Sequence, residues 1–145
     1  MSMYKVYTDG ASRNNPGPSS CAYVIFYNGS IMEEKAEYLG ISTNNRAEYM
    51  GVIRAMERLV ELNASHITLY NDSELIIKQI NREYKIHKAE LKILHQRIQS
   101  MLFHLFPIQF QHIRREENTR ADFLCNQMLD QIEIENMRRP NLGNQ

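Results

Sequence analysis

Asp9, Glu48, Asp72 and Asp122 are the residues of this chain whose types could do chemistry together. Each has an ordinary explanation when taken alone. An Asp that follows a strand is commonly a turn residue or a cap, which would cover Asp72. An Asp in the first turn of a helix is favoured by the helix dipole, which would cover Asp122. Glu48 is harder to explain, because its spacing puts it on an apolar helical stripe, where an unpaired carboxylate is costly to bury. It needs a cation, and Arg46 or Arg82 could supply one as a structural ion pair. If the four acids converge instead, carboxylates about 4 Å apart repel by about 4 kcal/mol per pair at an effective dielectric of about 20. Such a cluster persists mainly where divalent ions neutralise it. Oxygen ligands without His or Cys suit Mg²⁺ or Mn²⁺ rather than zinc. The histidines at 66, 87, 95 and 104 form no ligand spacing with one another.

The elements that must carry these acids follow from hydrophobic periodicity. Tyr4–Thr8 is β-branched and aromatic and runs into Asp9-Gly10, so it reads as a strand ending at the first acid. Cys21–Tyr27 is a second strand, Asn28-Gly29 is a hairpin turn, and Ile31–Leu39 returns as a more polar third strand. From Asn45 to Leu62 the period becomes helical, with Glu48, Val52, Ala55, Leu59 and Leu62 on one stripe and Asn44 or Asn45 available as its cap. Ile67–Tyr70 is a fourth strand ended by Asn71-Asp72, and Asp72 or Ser73 can cap a helix over Glu74–Ile80. A longer helix spans Lys88–Leu105 with Leu91, Leu94, Ile98, Met101, Leu102 and Leu105 as its core stripe, and Pro107 stops it. Ile108–Ile113 is a fifth strand. Arg114–Asn118 is a polar loop, and Asn118 or Thr119 caps a last helix with Ala121, Cys125, Met128 and Ile132 inward.

This order describes an α/β fold: a five-stranded mixed sheet, with an antiparallel meander of strands 1 to 3 followed by strands 4 and 5, and helices on both faces. Ligand sites in such folds gather at the carboxyl ends of parallel strands, where Asp9 and Asp72 are expected. Residues 1–135 are expected to form one catalytic domain, with a mobile tail over 136–145.

Composition narrows the partners. Seventeen basic and seventeen acidic residues balance, so charge alone does not point to nucleic acid. No apolar run approaches the roughly 20 residues that span a bilayer, and no secretory signal is visible. Cys21 and Cys125 are far apart and outside any metal spacing, so they read as buried thiols in a reducing, cytoplasmic setting.

The segments YTDGASRNNPG, STNNRAEYMGVIRAM, YNDSELIIKQI and REENTRADFLCNQML resemble the four catalytic blocks of type 1 ribonuclease H, in the same order and at similar intervals, from Tyr4 to about Asp130. The resemblance implies the ribonuclease H-like fold and an endonuclease that cuts the RNA strand of an RNA–DNA hybrid, leaving 3′-OH and 5′-phosphate ends. It implies two Mg²⁺ ions, with Mn²⁺ as a substitute, held by Asp9, Glu48, Asp72 and Asp122. Asp9 would bridge both ions, Asp122 would hold the one that activates water, and Glu48 with Asp72 the one facing the leaving oxygen. Gly10, Ala11, Ser12, Asn14, Asn44 and Ser73 would face the RNA, and Thr43 and Asn45 the DNA. A monomer is sufficient.

Two departures from the family pattern stand out. Several members carry a His-bearing loop before the last acid; here that loop is Arg114-Arg115-Glu116-Glu117. Arg115 is then the substitute in the catalytic set, against the alternative of an exposed loop arginine, and His112 is expected to be a hydrogen-bonded sheet residue. The basic helical protrusion of other members is expected to be absent, because Tyr84–Lys92 is short and mildly basic. Fewer phosphate contacts mean modest affinity and a shallow salt dependence. The alternative readings are another nuclease of the same superfamily, disfavoured by Gly10-Ala11 where a second acid would stand, and a non-catalytic nucleic-acid-binding module.

Overall fold

The computed structural model describes residues 2–139. Its elements run β1 (Tyr4–Ser12), β2 (Gly17–Tyr27), β3 (Ser30–Ser42), α1 (Asn44–Glu61), β4 (Ile67–Asn71), α2 (Glu74–Ile80), α3 (Ala89–Leu105), β5 (Ile108–His112), a 3-10 turn (Arg115–Glu117) and α4 (Thr119–Arg138). The sheet order is β3-β2-β1-β4-β5. β1, β2 and β3 pair antiparallel, whereas β4 lies parallel to β1 and to β5. The mixed sheet expected from the element order is therefore present. The β2–β3 turn forms because Asn28 and Gly29 both adopt positive φ, 49° and 87°, which matches a two-residue hairpin to the strand twist.

Strand β2, next to the central β1, is buried on both faces, and its alternation sorts two cores. Cys21, Tyr23 and Ile25 pack with Val6, Leu69 and the inward stripes of α1 and α3. Ala22 and Val24 pack on the other face with Ala121, Leu124 and Cys125 of α4. Burying a Leu or Ile side chain contributes about 1.5–3 kcal/mol, so the larger cluster fixes α1 against the sheet. Both cysteines are free and buried, and burial pushes the Cys21 thiol up to about 12.

Several local expectations are corrected. β1 does not stop at Thr8: it stays paired with β2 through Ser12, so Asp9 lies within a strand. Its parallel pairing with β4 does end at Tyr7–Tyr70, and beyond that point the two strands part. Thr43, rather than Asn44 or Asn45, caps α1, accepting the Arg46 N–H at 3.2 Å. A cap side chain accepts from the N–H two or three residues further on, and Arg46 is three residues after Thr43. Of the two caps expected for α2, Ser73 is the one used, accepting the Ile76 N–H at 3.3 Å. The inward face of α4 is Ala121, Leu124, Cys125 and Leu129, with Met128 and Ile132 only half-buried, so the stripe is rotated from its expected phase. α4 also continues through Arg138, past the boundary expected at 135. Residues 140–145 of the expected tail lie outside the described residues. Between α2 and α3, residues 81–88 form no helix, so no helical protrusion stands there.

Candidate active site

The place where β1 and β4 diverge is open, and the acids meet there. Asp9 projects from β1, Glu48 from the first turns of α1, and Asp72 follows the last residue of β4. One carboxylate oxygen from each lies within 4.8 Å of the others. Asp9 and Glu48 are 4% and 5% exposed, so two of the three charges are almost out of water. Asp122, in the first turn of α4, lines the same cleft of about 430 Å³ but stands outside that tight group.

The closeness of Asp9 and Glu48 comes from backbone contact. A Cβ added at Gly10 would lie 2.2 Å from the Ala47 carbonyl carbon, and one added at Gly51 would lie 2.5 Å from the Asp9 carbonyl oxygen. These are below any real contact distance, so β1 and α1 touch where no side chain intervenes. The Asp9 carboxylate is turned by its Oδ1, which accepts the Gly10 N–H at 2.9 Å.

Neither Arg46 nor Arg82 pairs with Glu48. Arg46 donates to the Ser42 hydroxyl at 3.2 Å, and among the described residues none of the four acids is in a salt bridge. Their companions are amides. Asn71 donates to Glu48 Oε1 at 3.3 Å and to the Thr8 carbonyl at 3.2 Å. Asn118 donates to Asp72 Oδ2 at 3.3 Å and to the Thr8 carbonyl at 2.9 Å. Sequence reasoning missed both amides, taking Asn71 for a turn residue and Asn118 for a helix cap. Asn118 does occupy the cap position of α4, yet its side chain makes no capping bond, and its buried Oδ1 has no partner.

The electrostatics record the crowding. Burial and then the charge of Asp72 raise the Asp9 carboxyl to about 7, although the Gly10 N–H works the other way. Burial, Asp9 and Asp72 hold Glu48 well above the usual range. Burial also raises Asp72, against the Asn118 amide and the positive charges of Arg115 and His112. Proton uptake is the metal-free answer to the repulsion; a bound cation is the alternative. The residues fit a hard divalent ion: three oxygens converge, no histidine or cysteine joins them, and no salt bridge among the described residues neutralises them.

The remaining expected residues divide. Gly10, Ala11, Ser12, Asn44, Ser73 and Arg115 line the cleft, as do Arg13 and Asn126, which the sequence did not single out. Ser12 is already committed, donating to the Ser42 carbonyl at 3.0 Å, and the Asn44 N–H is held by Asn15 Oδ1 at 2.9 Å. Asn14, Thr43 and Asn45 are not among the cleft residues. Asn14 sits in an exposed loop at φ 62°, Thr43 is the α1 cap, and Asn45 borders a separate groove with Tyr84, Lys85, His87 and Lys88. His112 ends β5 in register with Asn71, a sheet residue as expected, with its side chain exposed to solvent.

Comparison with known proteins gives the same outline. The family described as Reverse transcriptase-like matches residues 7–128. A Ribonuclease HI of Halobacterium salinarum is 35% identical over 125 residues, covering 86% of this chain and 63% of that protein. A bifunctional protein of Mycobacterium tuberculosis is 31% identical over 127 residues, covering 86% of this chain and 35% of its own length. This chain thus spans less than two thirds of these curated relatives. Among solved structures, RNase H1 of Halobacterium salinarum superposes with a TM-score of 0.84 at 34% identity, covering 88% of this chain and 98% of that one. LC11-RNase H1 in complex with RNA/DNA hybrid also gives 0.84, at 36% identity, covering 89% and 98%.

Proposed function

The chain belongs to the reverse transcriptase-like family and, within it, to the type 1 ribonuclease H group, and from this premise we propose that it is an endonuclease that hydrolyses the RNA strand of RNA–DNA hybrids. The observation that carries the reading is the convergence of Asp9, Glu48 and Asp72 with no salt bridge to any of them among the described residues. A structural role would be served better by neutral side chains, since unpaired buried charges cost stability.

Asp9, Glu48, Asp72 and Asp122 would hold Mg²⁺, as two ions, with Mn²⁺ able to replace it. When bound, the ions supply an activated water and stabilise charge on the leaving oxygen, so that the products are a 3′-OH and a 5′-phosphate. The protein's own work is to prepare the ligands. In the metal-free cleft burial and mutual repulsion raise the Asp9 and Glu48 carboxyls, so metal entry is opposed by protons and favoured as pH rises. The Asn71 and Asn118 amides, anchored together on the Thr8 carbonyl, aim Glu48 and Asp72 at one point. Arg115 puts a fixed positive charge beside Asp72 at the mouth of the cleft, where an incoming phosphate would meet it.

The RNA strand is read along Gly10, Ala11, Ser12, Asn14, Asn44 and Ser73, where hydroxyl and amide groups can recognise a 2′-OH, the group that separates RNA from DNA. Asn45 borders the groove that carries Lys85 and Lys88, and with Thr43, the cap of α1, it takes the DNA strand. Action as a monomer in the cytoplasm is part of the same reading; no helix among the described residues is long and apolar enough to cross a membrane.

The test is a substrate panel. End-labelled hybrid, DNA duplex and RNA duplex are incubated with Mg²⁺ and, separately, with Mn²⁺. Internal cuts confined to the RNA of the hybrid are the expected result. Digestion from an end, or cutting of DNA duplex, would move the chain to another nuclease class, and an uncut panel in both metals would leave only a binding module.

A further inference from the structure

Asp122 differs from the other three acids in how it is held. Asp9 and Glu48 are walled in by the contact of β1 with α1, and Asp72 takes the Asn118 amide. Asp122 is half-buried at the start of a helix and stands outside the tight group. Its carboxylate has one amide on it: Asn126, one turn further along α4, donates through Nδ2 to the Asp122 carbonyl at 3.0 Å and to Asp122 Oδ1 at 3.4 Å. The other end of that amide is also spoken for. Asn126 Oδ1 accepts from Arg13 Nη2 at 3.3 Å.

Arg13 comes from the segment directly after β1, and it spans three positions of α4 on one face. Nη2 also donates to the Asn126 carbonyl at 3.3 Å and to Asp130 Oδ1 at 2.8 Å, while Nη1 donates to Glu133 Oε1 at 2.8 Å. A guanidinium can only donate and an ionised carboxylate can only accept, so an amide between them has a single satisfied orientation, with oxygen toward Arg13 and nitrogen toward Asp122. Arg13 lines the cleft, which would suit a phosphate contact, but Asp130 and Glu133 already neutralise it. Its geometry serves α4 instead.

We propose that Asn126 is a positioning residue for the Asp122 carboxylate and that Arg13 is the clamp that fixes Asn126, tying the helix that carries Asp122 to the strand that carries Asp9. The proposal deepens the reading given under Proposed function and rests on it for the role of Asp122 as a metal ligand. Arg13 acts through its fork and not through its charge, because a lysine in its place would keep a point charge near Asp130 and Glu133 but could not hold Asn126 from one nitrogen while a second holds Glu133.

The experiment uses the full chain with Asn126→Ala, Arg13→Ala, Arg13→Lys and the Arg13→Ala, Asn126→Ala double variant. Mn²⁺ binding is followed by electron paramagnetic resonance without substrate, and hybrid cleavage in Mg²⁺ is followed in steady state. Asn126→Ala is expected to weaken the weaker Mn²⁺ site by about tenfold and to lower kcat by a similar factor, the scale of losing a group that orients a metal ligand. KM for hybrid stays within about twofold, since no substrate contact is removed. Both Arg13 variants change the two readouts in the same direction, Lys no better than Ala, and the double variant matches Asn126→Ala, because groups acting on one carboxylate are not additive. The proposal is overturned by an unchanged Mn²⁺ isotherm in Asn126→Ala, by rescue with Arg13→Lys, by additive losses, or by a rise in KM at constant kcat. If the wild type leaves hybrid uncut while Asn126→Ala still weakens the Mn²⁺ isotherm, the positioning role stands and the ribonuclease reading fails. If the wild type cuts hybrid and Asn126→Ala equals it in both readouts, only the positioning role fails.

Discussion

Glu48 in the cleft and Glu33 in the groove between β3 and α1 are the same chemical group under opposite conditions. In the groove, Arg58 Nε sits 2.9 Å from Glu33, Arg54 reaches Glu37 at 2.8 Å and Glu57 at 2.9 Å, and Arg97 closes on Glu57 at 2.8 Å. Burial pushes Glu33 up, but the Tyr23 hydroxyl and Arg58 outweigh it and hold the carboxyl below its usual range. In the cleft Asp9 and Glu48 are buried more deeply and meet only amides and other acids, and the carboxyls rise. A chain with no net charge has thus placed its compensation unevenly: complete in the groove, withheld in the cleft. The groove is satisfied from within the molecule; the cleft is satisfied only by something that enters it.

The contrast can be broken most forcefully at its centre. Asp9→Asn is expected to lower hybrid cleavage by about 10³-fold or more, the scale of removing a preorganised charged group from a reaction centre, while the metal-free protein becomes more stable because repulsion is relieved. A folded, active Asp9→Asn protein, or one that loses stability without metal, would erase the distinction between the two regions. A pH series sharpens it. Asp9 is raised from 3.8 to about 7 when folded, so the folded state binds this proton more tightly, and metal-free stability should fall as pH rises from about 4 through 7. A shift of that size corresponds to about 4 kcal/mol. Glu33 and Glu34 are shifted down, so their contribution is present above 4.5 and disappears as pH falls through their folded values. Denaturant midpoints measured from pH 3 to 8 should therefore peak between the two trends.

Adding Mg²⁺ addresses the cleft alone. At neutral pH, Mg²⁺ at about one hundred times its Kd should stabilise the wild type by about 2.7 kcal/mol, and Asp9→Asn far less; equal stabilisation of both would place the ion elsewhere. The smallest effect belongs to the groove. Arg54→Ala is expected to cost about 0.5–1 kcal/mol, since its ion pairs are about one third exposed and screened by water, with cleavage unchanged and the loss diminished in high salt. A cleavage defect in that variant would show the groove to be coupled to the cleft.

The order of elements was legible in periodicity, and the meeting of Asp9, Glu48 and Asp72 in the resemblance of four sequence blocks to one family, since each acid alone has an ordinary explanation. Glu48 on the α1 stripe was the clearest sign, and the structure buries it as that spacing requires. The supporting amides were not legible. Asn118 before a helix has the sequence signature of a cap, and only the approach of Thr8 and Asp72 in space turns its side chain elsewhere. Asn71 is hidden in the same way by the turn chemistry of a strand end. Arg13 and Asn126 are 113 residues apart, a distance over which no local pattern operates. The phase of α4 was misjudged because both Leu124 and Met128 satisfy a helical stripe, and only the surface of β2 decides between them.

The bare contact between β1 and α1 at Gly10 and Gly51 has a consequence for how this molecule can vary. Side chains elsewhere in the interior can be exchanged for others of similar volume, with neighbours shifting to suit. The gap between the two most buried acids is instead fixed by main chain against main chain, a spacer that evolution or a protein engineer cannot tune by changing a side chain. Repacking can therefore proceed freely around it, while these two positions admit hydrogen and nothing larger.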